Sequence, residues 1–435
     1  MALAVQLFLI IGGSAYLVLV FFALFYFLGT ISGKKGVMPK RPVKDDYEQP
    51  FVSIIVPTYN EERNIALCLQ SLKELNYSKY EIIVSDGGST DRTIEMAKTF
   101  VEKVIVDEVV PPGWVGKNWG CHLGYKEAKG EYLLFVDADT EHTPESLKHF
   151  IKVSMERNAA LVSVFPFQRI KSWWESINPV FYFASNLTYG GRNSVNNPDK
   201  QKNYTASGQY MLFTRKDYEA FGGHEALKGS IVEDLALART VKTKLRRLFF
   251  IDGTKLVYTR MYPDSPKQCW DGWKKCLFPG TKLTPPKQIT GALLWFLWGM
   301  FAPVVLALTI RQYLIMPNFH WAYLLVASIL YLTCGSSVFI YWNKKGAHQW
   351  VTYTFYPLVF FMFCFLLGYS ALELLITKKT TWRGRVYEPD LYVGTRYRNG
   401  EQFVDENRLA QLETDIEIEL NDQIDSEVNS ISFGK

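Results

Sequence analysis

Two carboxylates one residue apart, Asp137 and Asp139, follow directly on the apolar run Tyr132–Val136. At the end of a strand such a pair can turn toward one cation, and its hard oxygens suit Mg²⁺ or Mn²⁺, with a nucleotide diphosphate supplying further ligands. Taken alone, Asp-x-Asp is more often a solvated turn after a buried strand, and it is the context that favours a ligand pair. A second pair, Glu233-Asp234, stands ahead of an apolar helical pattern that begins at Leu235 and comes soon after Gly222-Gly223-His224. One of these acids could remove a proton from an acceptor hydroxyl, or both could simply favour the start of a helix. Asp86, in Asp86-Gly87-Gly88-Ser89-Thr90-Asp91, can accept a hydrogen bond from a base imide while the glycines let backbone approach a ribose. The same residues also make an ordinary turn. Lys117, flanked by Gly116 and Asn118 and followed by Trp119, can reach a diphosphate from a loop or can sit solvated at the surface.

These groups need elements to bring them together. Phe51–Pro57 is a continuous apolar run ended by proline, and Asn60-Glu61-Glu62 then opens an amphipathic helix with Ile65, Leu69 and Leu72 on one face. Tyr80–Val84 is a second buried strand, Thr93–Phe100 a helix, Val104–Val106 a short third strand, and Tyr132–Val136 a further strand. This alternation predicts parallel βαβ units. Ligands of open α/β sheets lie off the carboxyl ends of the strands. Three strands here end in polar groups: Pro57-Thr58-Tyr59-Asn60-Glu61, Asp86-Gly87-Gly88-Ser89 and Asp137-Ala138-Asp139.

The ordered set Val56-Pro57-Thr58-Tyr59-Asn60-Glu61, Asp86 to Asp91, Phe135-Val136-Asp137-Ala138-Asp139, and Gly222-Gly223-His224 to Glu233-Asp234 resembles the family-2 inverting glycosyltransferases of the GT-A fold. Within that family it is most similar to the membrane branch containing bacterial carotenoid glycosyltransferases and ceramide glucosyltransferases, down to Thr381-Trp382-Arg383-Gly384-Arg385. The resemblance implies an α/β, Rossmann-like mixed sheet with transmembrane helices at both ends. It implies that Pro57, Tyr59, Glu61 and Asp86 hold a nucleoside, commonly uridine, that Asp139 with Asp137 binds metal and diphosphate, and that Asp234 is the base. Lys117 is expected on the diphosphate, and Glu233, Trp273 and His224 on the acceptor side. The sequence departs from the family at Gly87, where many members carry a second acid. It departs again at Gln268-Cys269-Trp270-Asp271-Gly272-Trp273, where the arginine of Gln-x-x-Arg-Trp is missing and Trp273 is the equivalent.

The expected reaction is transfer of a hexose from a UDP-sugar to a lipid hydroxyl. A polyprenyl-phosphate sugar transferase, a polysaccharide synthase and a scaffold without catalysis are the rivals. An acceptor phosphate is already ionised and has less need of a base, so Asp234 favours a hydroxyl. A processive synthase would keep the acceptor motif and add spans.

The chain has 435 residues, enough for one catalytic domain and membrane spans. Residues 1–33 lack any charged residue or histidine, and Leu3–Leu28 exceeds the roughly 20 apolar residues a bilayer crossing needs. Lys34, Lys35, Lys40 and Arg41 then place the following domain in the cytoplasm. The expected division is an N-terminal span (1–33), a linker (34–50), a cytosolic catalytic domain (51–287), a transmembrane region (288–377), a basic juxtamembrane segment (378–400) and a disordered acidic tail (401–435). Three apolar stretches, Ile289–Ile310, Phe319–Trp342 and Trp350–Ile376, make up the transmembrane region. If all cross, Lys378, Lys379, Arg383 and Arg385 fall outside, against the positive-inside tendency. One stretch, that with Pro303 or that with Pro357, is then re-entrant, or an apparent single span is a hairpin. Aromatic segments at Trp173-Trp174, Phe181-Tyr182-Phe183 and Trp270–Trp273 read either as interfacial pieces or as packed core helices. The net charge of +5 conceals an acidic tail and a basic body. With no basic run carrying interleaved aromatics, this suits membrane lipids and a nucleotide diphosphate and gives no reason to expect nucleic acid. Six cysteines without a Cys-x-x-Cys pair predict free thiols.

Overall fold

The computed structural model describes residues 14, 16–25, 27–28, 47–316, 320–342, 346, 353–382, 385–387, 397–398 and 401–402. Ten strands build the catalytic half: β1 (Val52–Thr58), β2 (Tyr80–Asp86), β3 (Lys103–Val106), β4 (Tyr132–Val136), β5 (Thr140–His142), β6 (Leu161–Phe165), β7 (Phe167–Gln168), β8 (Tyr210–Thr214), β9 (Leu248–Asp252) and β10 (Val257–Thr259). A seven-stranded sheet runs β3-β2-β1-β4-β8-β6-β9, and β5, β10 and β7 form a small second sheet. β1, β2, β3 and β4 are mutually parallel, whereas β8 lies antiparallel between β4 and β6. The sheet is therefore mixed and mainly parallel. Val52, Ile54, Ile55 and Val56 of β1 are all inaccessible, as expected for a central strand covered on both faces, and the one polar residue among them, Ser53, is hydrogen-bonded to Glu81 and the Gly130 amide.

The helices are α1 (Tyr16–Phe25), α2 (Ile65–Lys73), α3 (Thr93–Phe100), α4 (Gly116–Glu127), α5 (Ser146–Arg157), α6 (Asn178–Tyr189), α7 (Arg192–Val195), α8 (Arg215–Ala220), α9 (Glu233–Lys244), α10 (Pro266–Leu283), α11 (Pro286–Ile315), α12 (Trp321–Trp342) and α13 (Tyr356–Thr377). Ile65, Cys68, Leu69 and Leu72 of α2 join Val52, Ile54, Leu134 and Phe150 in one apolar core. A second core is centred on α6. Phe183 meets Trp295 of α11 at 4.4 Å, and Phe181 meets Trp273 of α10 at 4.9 Å and Phe363 of α13 at 5.0 Å. For Phe181 and Phe183 the interfacial reading is thus replaced by a packed core helix joining the sheet domain to the apolar helices; Trp173 stays exposed.

α11, α12 and α13 are each long and apolar enough to cross a bilayer, with mean hydropathy of 2.1, 1.9 and 2.2. α1 is a short apolar helix whose Tyr16 hydroxyl donates to the carbonyl of Trp298; the rest of the expected N-terminal span lies outside the described residues. The Thr381–Arg385 motif falls on an antiparallel pair, β11 (Thr380–Trp382) with β12 (Arg385–Tyr387). A separate small unit, Tyr392–Lys435, contains β13 (Tyr397–Arg398) paired with β14 (Glu401–Gln402), and the remainder of the acidic tail lies outside the described residues. All six cysteines are free.

Candidate active site

The sheet's topology gathers the site. β1, β2 and β4 are parallel and so deliver their following loops to one edge. β8 runs the other way, with Tyr210 opposite Val136, so the residues just before it share that edge with Asp137–Asp139.

The loops after β1 and β2 are stitched together. Asn60, in the left-handed region at φ 54°, donates its amide to Ser89 Oγ at 2.8 Å and accepts from the Thr90 amide at 2.9 Å. The Asp86 carboxylate accepts from Thr58 Oγ1, the Gly88 amide, the Ser89 amide and Ser89 Oγ at 2.6–2.9 Å. Asp86 is thus buried and engaged within its own turn, and it is Ser85 and Gly87, on either side, that face the cavity. Glu61, held by Asn64 Nδ2 at 2.9 Å, lines that cavity together with Pro57 and Tyr59.

Lys117 is the electrostatic centre. Its Nζ lies 2.6 Å from Asp137 Oδ1 and 2.8 Å from Glu233 Oε1. Asn118 fixes this arrangement: its amide nitrogen reaches the carbonyls of Leu227, Lys228 and Ser230 at 2.9–3.1 Å, tying the start of α4 to the loop that leads into α9. Burial alone would lower the Lys117 ammonium, but Asp137 and Glu233 outweigh it and hold the group well above the usual lysine value. Burial would likewise raise Glu233, and Lys117 overcomes it and keeps that acid ionised. Asp234 is different. Burial first, then the charge of Glu233, push its carboxyl up to about 6 against the opposing pull of Lys117. Two adjacent acids are thereby pushed in opposite directions, Glu233 held ionised by Lys117 and Asp234 raised by burial and by Glu233. Both lie in the first turn of α9, which starts two residues earlier than its apolar pattern. The Asp234 oxygens accept from the Leu235 amide at 2.7 Å and the Gly208 amide at 3.2 Å.

Gly208 was not singled out by sequence. A Cβ there would lie 2.8 Å from Lys117 Nζ and 3.2 Å from Glu233 Oε1, so any side chain at this position would displace the Lys117 ammonium or the Glu233 carboxylate. Its one sequence signal is the run of small residues Ala206-Ser207-Gly208 before an apolar strand. Asn118 and Lys275, the latter also lining the cavity, were missed as well.

Asp137, Asp139, Lys117, Glu233 and Asp234 line one cavity of about 470 Å³. Trp273 lines it too, its indole nitrogen donating to Asn178 Oδ1 at 2.8 Å. His224 does not. It is fully buried behind the site, where its Nδ1 meets the Tyr218 hydroxyl at 2.7 Å and its ring lies 4.7 Å from Phe135. Burial drives its pKa down to about 3, so it is neutral; the expectation of an acceptor-side histidine is corrected to one that packs beneath the Gly222-Gly223 turn. Among the described residues, no three His, Cys, Asp or Glu side chains converge well enough to hold a metal by themselves. Asp137 and Asp139 offer hard oxygens of the right kind, and they fit a divalent ion that draws its other ligands from elsewhere.

A mixed, mainly parallel α/β sheet domain, an acid cluster off its strand ends and three attached helices long and apolar enough to cross a bilayer are what the fold and site define. Residues 53–222 match the model of glycosyl transferase family 2, so the chain carries a region similar to that family's catalytic domain. It is 28% identical over 350 residues to the 4,4'-diaponeurosporenoate glycosyltransferase of Staphylococcus aureus strain USA300, covering 79% of this chain and 89% of that one. Among solved structures it is similar to a mannosyltransferase of Pyrobaculum calidifontis in complex with GDP-Man and Mn²⁺, with TM-score 0.49, 16% identity, and coverage of 84% of this chain and 97% of that one. A glucosyl-3-phosphoglycerate synthase of Mycobacterium tuberculosis matches at TM-score 0.36 and 20% identity, over 52% of this chain and 79% of that one.

Proposed function

We propose that the protein transfers a hexose from a nucleotide diphosphate sugar, a UDP-hexose, to the hydroxyl of a lipid held at the cytosolic face of a membrane, with inversion at the anomeric carbon. One observation carries this reading. One cavity is lined both by the Lys117–Asp137–Asp234 cluster and by Leu293 and Phe296 of α11 and Phe363 and Leu367 of α13, so its walls are charged in part and apolar in part. An acceptor with a polar head and a hydrocarbon body fits such walls.

In the proposed reaction Pro57, Tyr59 and Glu61 hold the nucleoside, and Asp86, engaged within its turn, fixes the Gly87–Ser89 loop beside it. Asp139 with Asp137 would hold a Mg²⁺ or Mn²⁺ ion, which supplies positive charge against the leaving diphosphate. Lys117 brings its ammonium to the same phosphates and Glu233 keeps it in place. Asp234 takes the proton of the acceptor hydroxyl as its oxygen attacks the anomeric carbon and the bond to the diphosphate breaks. Trp273, on the wall of the same cavity, would orient the acceptor.

A second reading has specific support: the Staphylococcus relative is named for a carotenoid carboxylate, and a carboxylate acceptor is ionised before it arrives. Asp234→Asn separates the two. For a hydroxyl acceptor, transfer falls by about 10²–10⁴-fold while titration calorimetry finds donor binding intact. A variant that transfers at the native rate removes Asp234 from the base role and selects the carboxylate acceptor.

A further inference from the structure

α13 is long enough to cross the bilayer, but its contacts place its first turn halfway through. α11 starts on the catalytic domain, where Gln288 donates to the carbonyl of Lys202 at 3.1 Å. From there α11 runs outward, and Gly299 near its midpoint packs against Phe360, whose ring would lie 2.2 Å from a Cβ at that glycine, and against Cys334 of α12. α12 runs back and ends at the catalytic domain, because Trp342 stacks on Tyr182 at 5.9 Å and Gly346 bridges Gln168 of β7.

The chain after Gly346 then reappears at depth. Tyr353 meets Phe339 at 4.9 Å, the Tyr331 hydroxyl donates to the Thr354 carbonyl at 3.1 Å, and the Tyr356 hydroxyl donates to the Tyr331 carbonyl at 3.1 Å. Tyr331 lies about 16 Å below Trp342 at 1.5 Å per residue. The step from Gly346 to Tyr353 spans at most about 25 Å of extended chain, which covers that return but falls short of the roughly 32 Å length of α12. From Tyr356 the helix climbs back. Ser370 Oγ donates to the Lys274 carbonyl at 2.6 Å, and Glu373 pairs with Lys274 Nζ at 2.8 Å. Thr380 is buried and β11 packs on α10. α10 belongs to the catalytic domain, since the Asp264 carboxylate just ahead of it pairs with Arg63.

We propose that α13 is re-entrant, entering and leaving the bilayer on the side of the catalytic domain, so that of the three long apolar helices only α11 and α12 cross. Non-helical backbone at membrane depth is tolerated only where protein covers it, and the bend at Phe355 ahead of Pro357 lies against α12. The arrangement also sets Lys378 and Lys379 on one side with the basic catalytic body, whereas the short α11–α12 connection at 316–320 carries no Lys or Arg. Resting on the reading above, Phe363 and Leu367 then form a wall of the acceptor path in the leaflet next to the catalytic domain.

Single cysteines at Lys216 on the catalytic domain, His320 between α11 and α12, and Lys378 after α13, all exposed in the native chain, test this in intact cells with a membrane-impermeant maleimide. The native chain labelled in parallel sets the background. Lys378→Cys is expected to follow Lys216→Cys, reacting in the same state of the cells, and to oppose His320→Cys. Lys379→Cys gives a second reading at the same end if Lys378→Cys does not assemble. Labelling of the C-terminal positions together with His320→Cys overturns the proposal. The readout does not depend on sugar transfer, so it stands or falls apart from the acceptor assignment.

Discussion

At the scale of single residues, charge around Lys117 decides how the site responds to pH. A base must be ionised to take a proton, and the Asp234 carboxyl, raised to about 6, is ionised above that pH and protonated below it. The kcat/KM for transfer is therefore expected to fall tenfold per unit as pH drops below about 6, with the plateau above. A profile flat down to pH 4.5 contradicts the assignment. Lys117 opposes the upward shift of Asp234, so Lys117→Met should move the acid limb to higher pH and weaken donor binding together. If only the affinity changes, Lys117 serves the phosphates without tuning the base. Asp137, Asp139, Glu233 and Asp234 were legible as chemistry because they fall in an ordered set of motifs, three of them at strand ends, and not because either acid pair is unusual by itself. The engagement of Asp86 within its own turn and the burial of His224 were not, since neither a turn's internal hydrogen bonds nor the depth of a ring is written in spacing.

At the scale of elements, the site depends on close approach. Gly208→Ala inserts a Cβ against Lys117 and Glu233, and a displacement of roughly 1 Å at such a cluster costs up to about 10²-fold in rate. The expected outcome is a loss of kcat with Tm hardly changed; a loss of Tm alone would make the glycine structural. In the apolar helices, Gly299→Ala drives a methyl into Phe360 and should destabilise by about 1–3 kcal/mol, read as a lower Tm in detergent. Gly368→Ala, with nothing within 4 Å of its Cβ, is the control and should leave Tm unchanged. The parallel strands β1, β2 and β4 were readable from apolar runs ending in polar turns. β6, β8 and β9 were passed over, and with them the antiparallel insertion of β8 that delivers Gly208. Strand order is set by long-range pairing, which no local pattern of Tyr210–Thr214 reveals.

At the scale of the whole molecule, a soluble-type sheet domain is fused through α6 to apolar helices, and one cavity crosses the joint. The long apolar stretches were plain in the sequence, and so was the conflict between their number and the placement of basic residues. The re-entrant arrangement proposed for α13, which would remove that conflict, rests on the contacts of Tyr356 and Glu373. The proposed function rests on carboxylates and apolar helices lining that one cavity. The most direct measurement is to reconstitute the purified protein in vesicles containing a lipid extract, supply radiolabelled UDP-hexoses with Mg²⁺ or Mn²⁺, and partition the products. Label in a chloroform-soluble lipid, absent with Asp234→Asn when that lipid is an alcohol, is the expected result. Label that stays wholly in the aqueous phase, as free sugar or polymer, contradicts a lipid acceptor.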